Sequence, residues 1–131
     1  MPAPETYPDD LRYHPEHDWA RIEGDEATLG ITWYAQDSLG ELVHYEPPDV
    51  GATISKDNPY GEVESVKAVS DLIAPLSGEV VDVNQAVVDA PETVNEDPYG
   101  DGWLVKVRLS DITEPDSLMD VEAYKRHLAD L

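Results

Sequence analysis

The sequence predicts a mainly β fold, an antiparallel sandwich or flattened barrel carrying a few short helices on its outside. Three observations predict it: short runs alternate apolar with polar residues, turn-forming Gly, Pro, Asn and Asp recur at close intervals between them, and one amphipathic stretch closes the chain. With 131 residues, 40% of them hydrophobic, the chain can bury one modest core, and residues 1–131 are read as a single domain.

The elements follow in order. Residues 1–10 hold three prolines and three acids and are predicted to form an extended arm without chemistry of its own. Ala20 and Ile22 alternate with Arg21 and Glu23, Gly24-Asp25 marks a turn, and Ala27, Leu29 and Ile31 alternate again, so a hairpin is expected. Thr32 is placed to cap a short helix through Trp33, Tyr34, Ala35 and Leu39 that ends at Gly40. Strands are expected through Leu42, Val43 and Tyr45, then at 52–55, 60–66, 69–73 and 78–83, separated by the Glu46-to-Gly51 break, Asp57-Asn58-Pro59 and Ala74-to-Gly78. A short helix is expected at 85–89, a loop at 91–102, and a late strand through Trp103, Val105, Val107 and Leu109. Val121, Tyr124, Leu128 and Leu131 share one helical face behind Asp120 as N-cap, which predicts a C-terminal helix over 120–131.

The composition bounds the function. Against 29 acids stand only 8 basic residues, a formal charge of −21, which argues against nucleic acid as a partner. No apolar run long enough for a membrane span and no secretory signal pattern is visible, so a cytoplasmic protein is expected. With no cysteine, the chain has no thiol chemistry of its own, and any sulfur redox step needs an attached group. Asp outnumbers Glu 16 to 13, lysines number 4, and the acids are spread along the chain. Such a surface repels itself at ordinary ionic strength and is relieved by salt, so it reads either as an adaptation to high salt or as ordinary acidic solubility.

The segment Val63-Glu64-Ser65-Val66-Lys67-Ala68-Val69-Ser70-Asp71 sets one of the four lysines between two β-prone runs. At a hairpin tip that amine is either a solvated turn residue or a site for acylation that would give the chain a swinging prosthetic group. Spacing does not choose between these. The cluster His14-Pro15-Glu16-His17-Asp18 has a metal-binding composition, but Pro15 interrupts regular ligand spacing, and a structural role is expected for His17. Trp19, Trp33 and Trp103 are expected in the core or at an interface.

Glu64-Ser65-Val66-Lys67-Ala68, followed by Ser70-Asp71 and Pro75-Leu76-Ser77-Gly78-Glu79-Val80, resembles the lipoylation region of the glycine cleavage system H-protein family. His17-Asp18-Trp19, Gly30-Ile31-Thr32 with Tyr34-Ala35-Gln36 and Leu39-Gly40, and Val94-Asn95-Glu96-Asp97-Pro98-Tyr99-Gly100 with Gly102-Trp103-Leu104 resemble further motifs of that family, over roughly residues 13–127. The resemblance implies a fold of the lipoyl-domain type, a barrel-sandwich hybrid. It implies lipoate joined to Lys67 as an amide, with Glu64, Ser65, Val66 and Ala68 as the recognition context, on a non-catalytic carrier. Such a carrier takes an aminomethyl group from glycine decarboxylase, a pyridoxal phosphate enzyme, to an aminomethyltransferase that uses tetrahydrofolate. A dihydrolipoyl dehydrogenase with FAD reoxidises it, and a lipoate-attaching enzyme loads it. The family's cleft for the cationic loaded arm matches Asp18 and Asp71, with Ser38 where some members place histidine. Asp18 is shorter than the family's frequent Glu, and Trp33 replaces a common acid. Rival readings are an H-like lipoyl relay, another lipoyl or biotinyl carrier, and, from a different class, an acidic cation-binding or scaffold module. A Schiff-base enzyme ranks below these, because an exposed lysine lacks a desolvated pocket.

The charge pattern carries its own test. The thermal unfolding midpoint is expected to rise as KCl increases from about 0.1 M into the molar range; a flat curve removes the high-salt reading.

Overall fold

Two antiparallel sheets pack through one shared core in the computed structural model, which describes residues 3–131 of the chain. Met1 and Pro2, the start of the expected arm, lie outside the described residues. The strands are β1 (Arg12–Tyr13), β2 (Asp18–Glu23), β3 (Glu26–Ile31), β4 (Leu42–Glu46), β5 (Thr53–Ile54), β6 (Pro59–Ser65), β7 (Val69–Ile73), β8 (Gly78–Val83) and β9 (Val105–Leu109). Six of them form a sheet in the order β1-β2-β3-β9-β8-β5, and the other three form a small sheet, β4-β6-β7. Sandwich, not closed barrel, describes these two ladders among the described residues.

The core explains why the alternating runs became strands. Ala20, Leu29, Val80 and Val107 from the large sheet and Tyr45, Val63 and Leu72 from the small one are all buried in the same cluster. On β3 burial is continuous from Ala27 to Ile31: Ala27, Leu29 and Ile31 face the core, and Gly30 lies under the indole of Trp19, its cross-strand partner. A Cβ on Gly30 would fall 2.5 Å from that ring, so glycine is what lets the indole lie flat against the strand. Trp19 is fully buried and donates Nε1–H to Pro98 O at 3.0 Å.

Among the described residues four α-helices sit outside the sheets, α1 (Trp33–Leu39), α2 (Gln85–Asp89), α3 (Thr93–Glu96) and α4 (Val121–Ala129), with one 3-10 turn at Glu114–Ser117. Thr32 caps α1 by accepting from Ala35 N–H, and Gly40 ends it at φ +83°, a left-handed value that suits glycine. Asp120 caps α4 in the same way through Ala123 N–H. None of the helices is long and apolar enough to cross a membrane.

Two expectations need correction. The segment 91–102 is not loop throughout, because it contains α3, whose Val94 is fully buried; four residues are too few for a helical period to show in sequence. Leu131 does not join the apolar face of α4. The helix ends at Ala129, where Asp130 N–H turns back to the carbonyls of Arg126, His127 and Leu128, and Leu131 is 65% exposed.

The described part of the arm has no regular structure, yet it is fastened. Trp33 Nε1–H donates to Ala3 O at 2.7 Å, Ala3 N–H to Asn95 O at 3.1 Å, and the Tyr99 hydroxyl to Thr6 O at 2.7 Å. Tyr7 stands edge-on to Tyr124 with ring centroids 5.6 Å apart. Trp33 is thereby an anchor for the arm.

Gly30→Ala is expected to lower stability by about 1–3 kcal/mol, the usual cost of overpacking a filled core. Urea unfolding checks it, and unchanged stability would show that Trp19 moves aside freely.

Candidate functional site

The β6–β7 hairpin carries Lys67 at its tip, with Val66, Lys67 and Ala68 forming the connection and all three exposed. One side chain shapes that turn. The hydroxyl of Ser65, itself buried, accepts from Lys67 N–H at 3.2 Å and Ala68 N–H at 3.1 Å, while Ser65 N–H donates to Ala68 O at 2.7 Å. Serine and threonine favour such local side-chain bonds at turns. Beyond the hairpin, Val66 N–H donates to Glu41 O at 3.1 Å, which ties the tip to the turn between α1 and β4.

The lysine side chain differs from its backbone. Lys56 Nζ donates to Ser117 and Lys106 lies 5.0 Å over the ring of Trp103. The Lys67 amine has neither a hydrogen bond nor an ion pair among the described residues. Its stem passes close to Gly40, where an added Cβ would lie 3.5 Å from Lys67 Cε. An anchored tip with a free amine is the geometry an acylating enzyme can seize, and the turn fits a group attached at Nζ.

The outer face of the small sheet surrounds this tip. Across its three strands His44, Glu64 and Val69 stand in register, and one row further Glu46, Glu62 and Asp71 do so. Val66 and Val69 are 67% and 59% exposed. The second row sets three carboxylates side by side on one face, which like-charge repulsion disfavours unless cations or salt intervene.

The expected cleft residues are not alike. Asp71 is exposed in that acidic row, and Ser38 is exposed on α1. Asp18 opens β2 in the large sheet and is only 2% exposed, with its Oδ2 lacking a hydrogen-bond partner. Burial, reinforced by Glu16, pushes its carboxyl well above the usual carboxylate range. The nearby Tyr60 hydroxyl is likewise buried and unpaired, and burial followed by the Asp18 charge raises its pKa. No side-chain hydrogen bond joins Asp18, Asp71 and Ser38 among the described residues.

The histidines near Asp18 are structural. His17, at φ +74°, places Nδ1 2.9 Å from the Tyr124 hydroxyl, which lies 2.8 Å from Thr32 Oγ1. Desolvation and His127 lower the His17 pKa. His14 Nδ1 accepts from Glu16 N–H, so Nε2 is the nitrogen that donates to Asp57 Oδ1, at 2.6 Å. That bond holds the Asp57 carboxyl below its ordinary range. Among the described residues no group of three His, Asp or Glu side chains is arranged to hold a metal. A groove of about 500 Å³ between His14, Lys56, Asp57, Ile73 and Met119 lies at the opposite end of the hairpin from Lys67. A smaller one of about 270 Å³ between α1 and α3 includes Gly40, Glu41 and Asn95. Sequence reasoning gave no role to Gly40 or Asn95 beside Lys67; the only signal was their presence in the two motifs flanking the lysine segment.

A sequence model of a family described as glycine cleavage H-protein matches residues 11–131. A glycine cleavage system H protein of Rubrobacter xylanophilus is 56% identical over 121 residues, covering 92% of this chain and 94% of the relative. One from Brevibacillus brevis is 53% identical over 119 residues, covering 91% and 94%. The crystal structure of a glycine cleavage system H protein from Mycobacterium marinum superposes with a TM-score of 0.86 at 42% identity, covering 94% of this chain and 99% of that one. The described arm residues before Leu11 lie outside the family match.

The buried Asp18 predicts a pH signature. Its folded pKa is raised above 3.8, so the folded state holds an extra proton between the two values. Asp18 then favours folding fully below the unfolded value, and that contribution is lost as pH rises through the folded value. Thermal melts of Asp18→Asn minus those of the parent chain are expected to shift upward from acid to neutral pH. A difference independent of pH would mean that Asp18 is ionised at no cost.

Proposed function

The chain belongs to the glycine cleavage H-protein family, and from that premise we propose that Lys67 is its lipoyl attachment point, with residues 1–131 acting as one carrier domain. It is a lipoyl carrier of the glycine cleavage system. The observation that carries the assignment of Lys67 is the contrast between its bonded backbone and its unbonded amine at an exposed hairpin tip.

Attached there, a lipoyl group supplies the dithiolane that receives the aminomethyl group, chemistry the cysteine-free chain does not possess. The chain's own residues present and orient. Ser65 fixes the turn, and Glu64, Val66 and Ala68 around it form the surface that a lipoate-attaching enzyme reads. Its further partners in this reading are glycine decarboxylase, aminomethyltransferase and dihydrolipoyl dehydrogenase, holding pyridoxal phosphate, tetrahydrofolate and FAD respectively. Tethering raises the concentration of the carried group at each of their sites, so the carrier needs no catalytic residue of its own.

Asp71, Asp18 and Ser38 are proposed as the resting place of the loaded, cationic arm. The carboxylate row Glu46, Glu62 and Asp71 favours a cation, which would relieve its repulsion. The buried Oδ2 of Asp18 is a polar atom without a partner. Because Asp18 is covered, the arm reaches it only if covering side chains part; Asp71 and Ser38 are open to it as they stand.

Peptide mass across Glu62 to Val80 of the chain from its native source is expected to place one lipoyl amide on Lys67. Lys67→Arg is expected to melt at the parent temperature, gain no lipoyl mass and support no glycine cleavage in a reconstituted system. Full cleavage activity with that variant would overturn the assignment.

A further inference from the structure

Gly40 and Glu41 connect α1 to β4 and, with Leu42 at the start of the strand, form the ledge on which the lysine hairpin rests. The middle residue receives the hairpin, since Glu41 O accepts from Val66 N–H at 3.1 Å. The two outer residues are held by a single side chain. Asn95 Nδ2 donates to Gly40 O at 2.9 Å, and Asn95 Oδ1 accepts from Leu42 N–H at 2.9 Å. A backbone carbonyl only accepts and a backbone N–H only donates, so the orientation of the amide is fixed by its partners.

The rest of Asn95 is equally committed. Nδ2 also donates to the Gln36 Oε1 at 3.0 Å, and the backbone carbonyl accepts from Ala3 N–H at 3.1 Å. Gly40 N–H donates to Gln36 O at 2.9 Å, so both backbone groups of the residue beside the Lys67 stem are engaged. The side chain at position 95 needs one donor face and one acceptor face at a short reach, which asparagine supplies and aspartate or alanine does not.

We propose that Asn95 is a positioning residue for Lys67: its amide brackets Gly40 and Leu42, sets the Glu41 carbonyl where it holds Val66, and thereby fixes the direction in which the lysine leaves the surface. The role in lipoate attachment rests on the reading of Lys67 as the attachment point. The mechanical part does not. Asn95 touches neither the amine nor anything attached to it, and acts through the ledge.

Hydrogen exchange and attachment kinetics test this on the full chain with Asn95→Ala and Asn95→Asp. Aspartate keeps the acceptor for Leu42 N–H and loses both donors, and it serves alone should the alanine variant fail to fold. The Val66 amide is expected to lose protection by about tenfold or more through local opening, while Leu109 N–H, bonded to Asp25 O on the far sheet, keeps its protection. With a lipoate-protein ligase, lipoate and ATP, kcat/KM for modification of the variant is expected to fall by about tenfold, as for a reacting group held off its productive direction. Unchanged Val66 protection in a folded variant overturns the proposal, and so does lost protection with unaltered attachment. Equal loss at Val66 and Leu109 would reduce Asn95 to general stability and also overturn it. If the parent chain itself accepts no lipoate on Lys67, the assignment of that lysine fails, and the Val66 exchange alone then decides whether the bracket exists.

Discussion

The buried hydroxyl of Ser65 accepts from two successive amides of the exposed turn, and the character of Lys67 follows from it. A three-residue connection with free amides would exchange among turn forms, and the lysine would leave the surface in many directions. Bonding the amides to a side chain that is itself packed under the turn removes that freedom from the backbone and leaves it in the four-carbon stem. The result is a rigid base beneath a flexible arm, the division of labour a carrier requires.

Charge acts on the same region from the outside. With a formal charge of −21, the molecule carries a negative field over most of its surface, and the row Glu46, Glu62 and Asp71 concentrates it beside the hairpin. Such a row costs folding energy where screening is weak, and under the same conditions it attracts cationic groups most strongly. Around the lysine itself the exposed side chains include Val66 and Val69 beside Glu64, so a small apolar contact patch lies within the acidic field. A partner reading this surface needs a basic rim and an apolar centre.

Much of this was legible in the sequence. The β2–β3 hairpin, the caps Thr32 and Asp120, the glycine end of α1 and the exposed lysine turn all arise from local rules, and the structure has them where alternation and capping place them. What escaped was set by distant contacts. Four residues of α3 owe their turn to the burial of Val94, and the end of α4 leaves Leu131 in solvent despite its place in the periodic pattern. Asp18 reads in sequence as one acid among 29, and only the packing of β2 shows that it is buried without a partner. The arm looked inert because its bonds run from its backbone to Trp33, Asn95 and Tyr99, which composition cannot reveal.

The strand order has a bearing on how the molecule is made. β9 is the last of the described strands and sits between β3 and β8, so before it emerges during synthesis the large sheet can pair at most as two fragments, β1-β2-β3 and β8-β5, with a gap between them. The β6–β7 hairpin closes over a short connection and forms without waiting, whereas the gap closes only after Leu109 has emerged. Until then the flanks of β3 and β8 are unpaired edges, and they are the surfaces through which a nascent chain would stick to its neighbours.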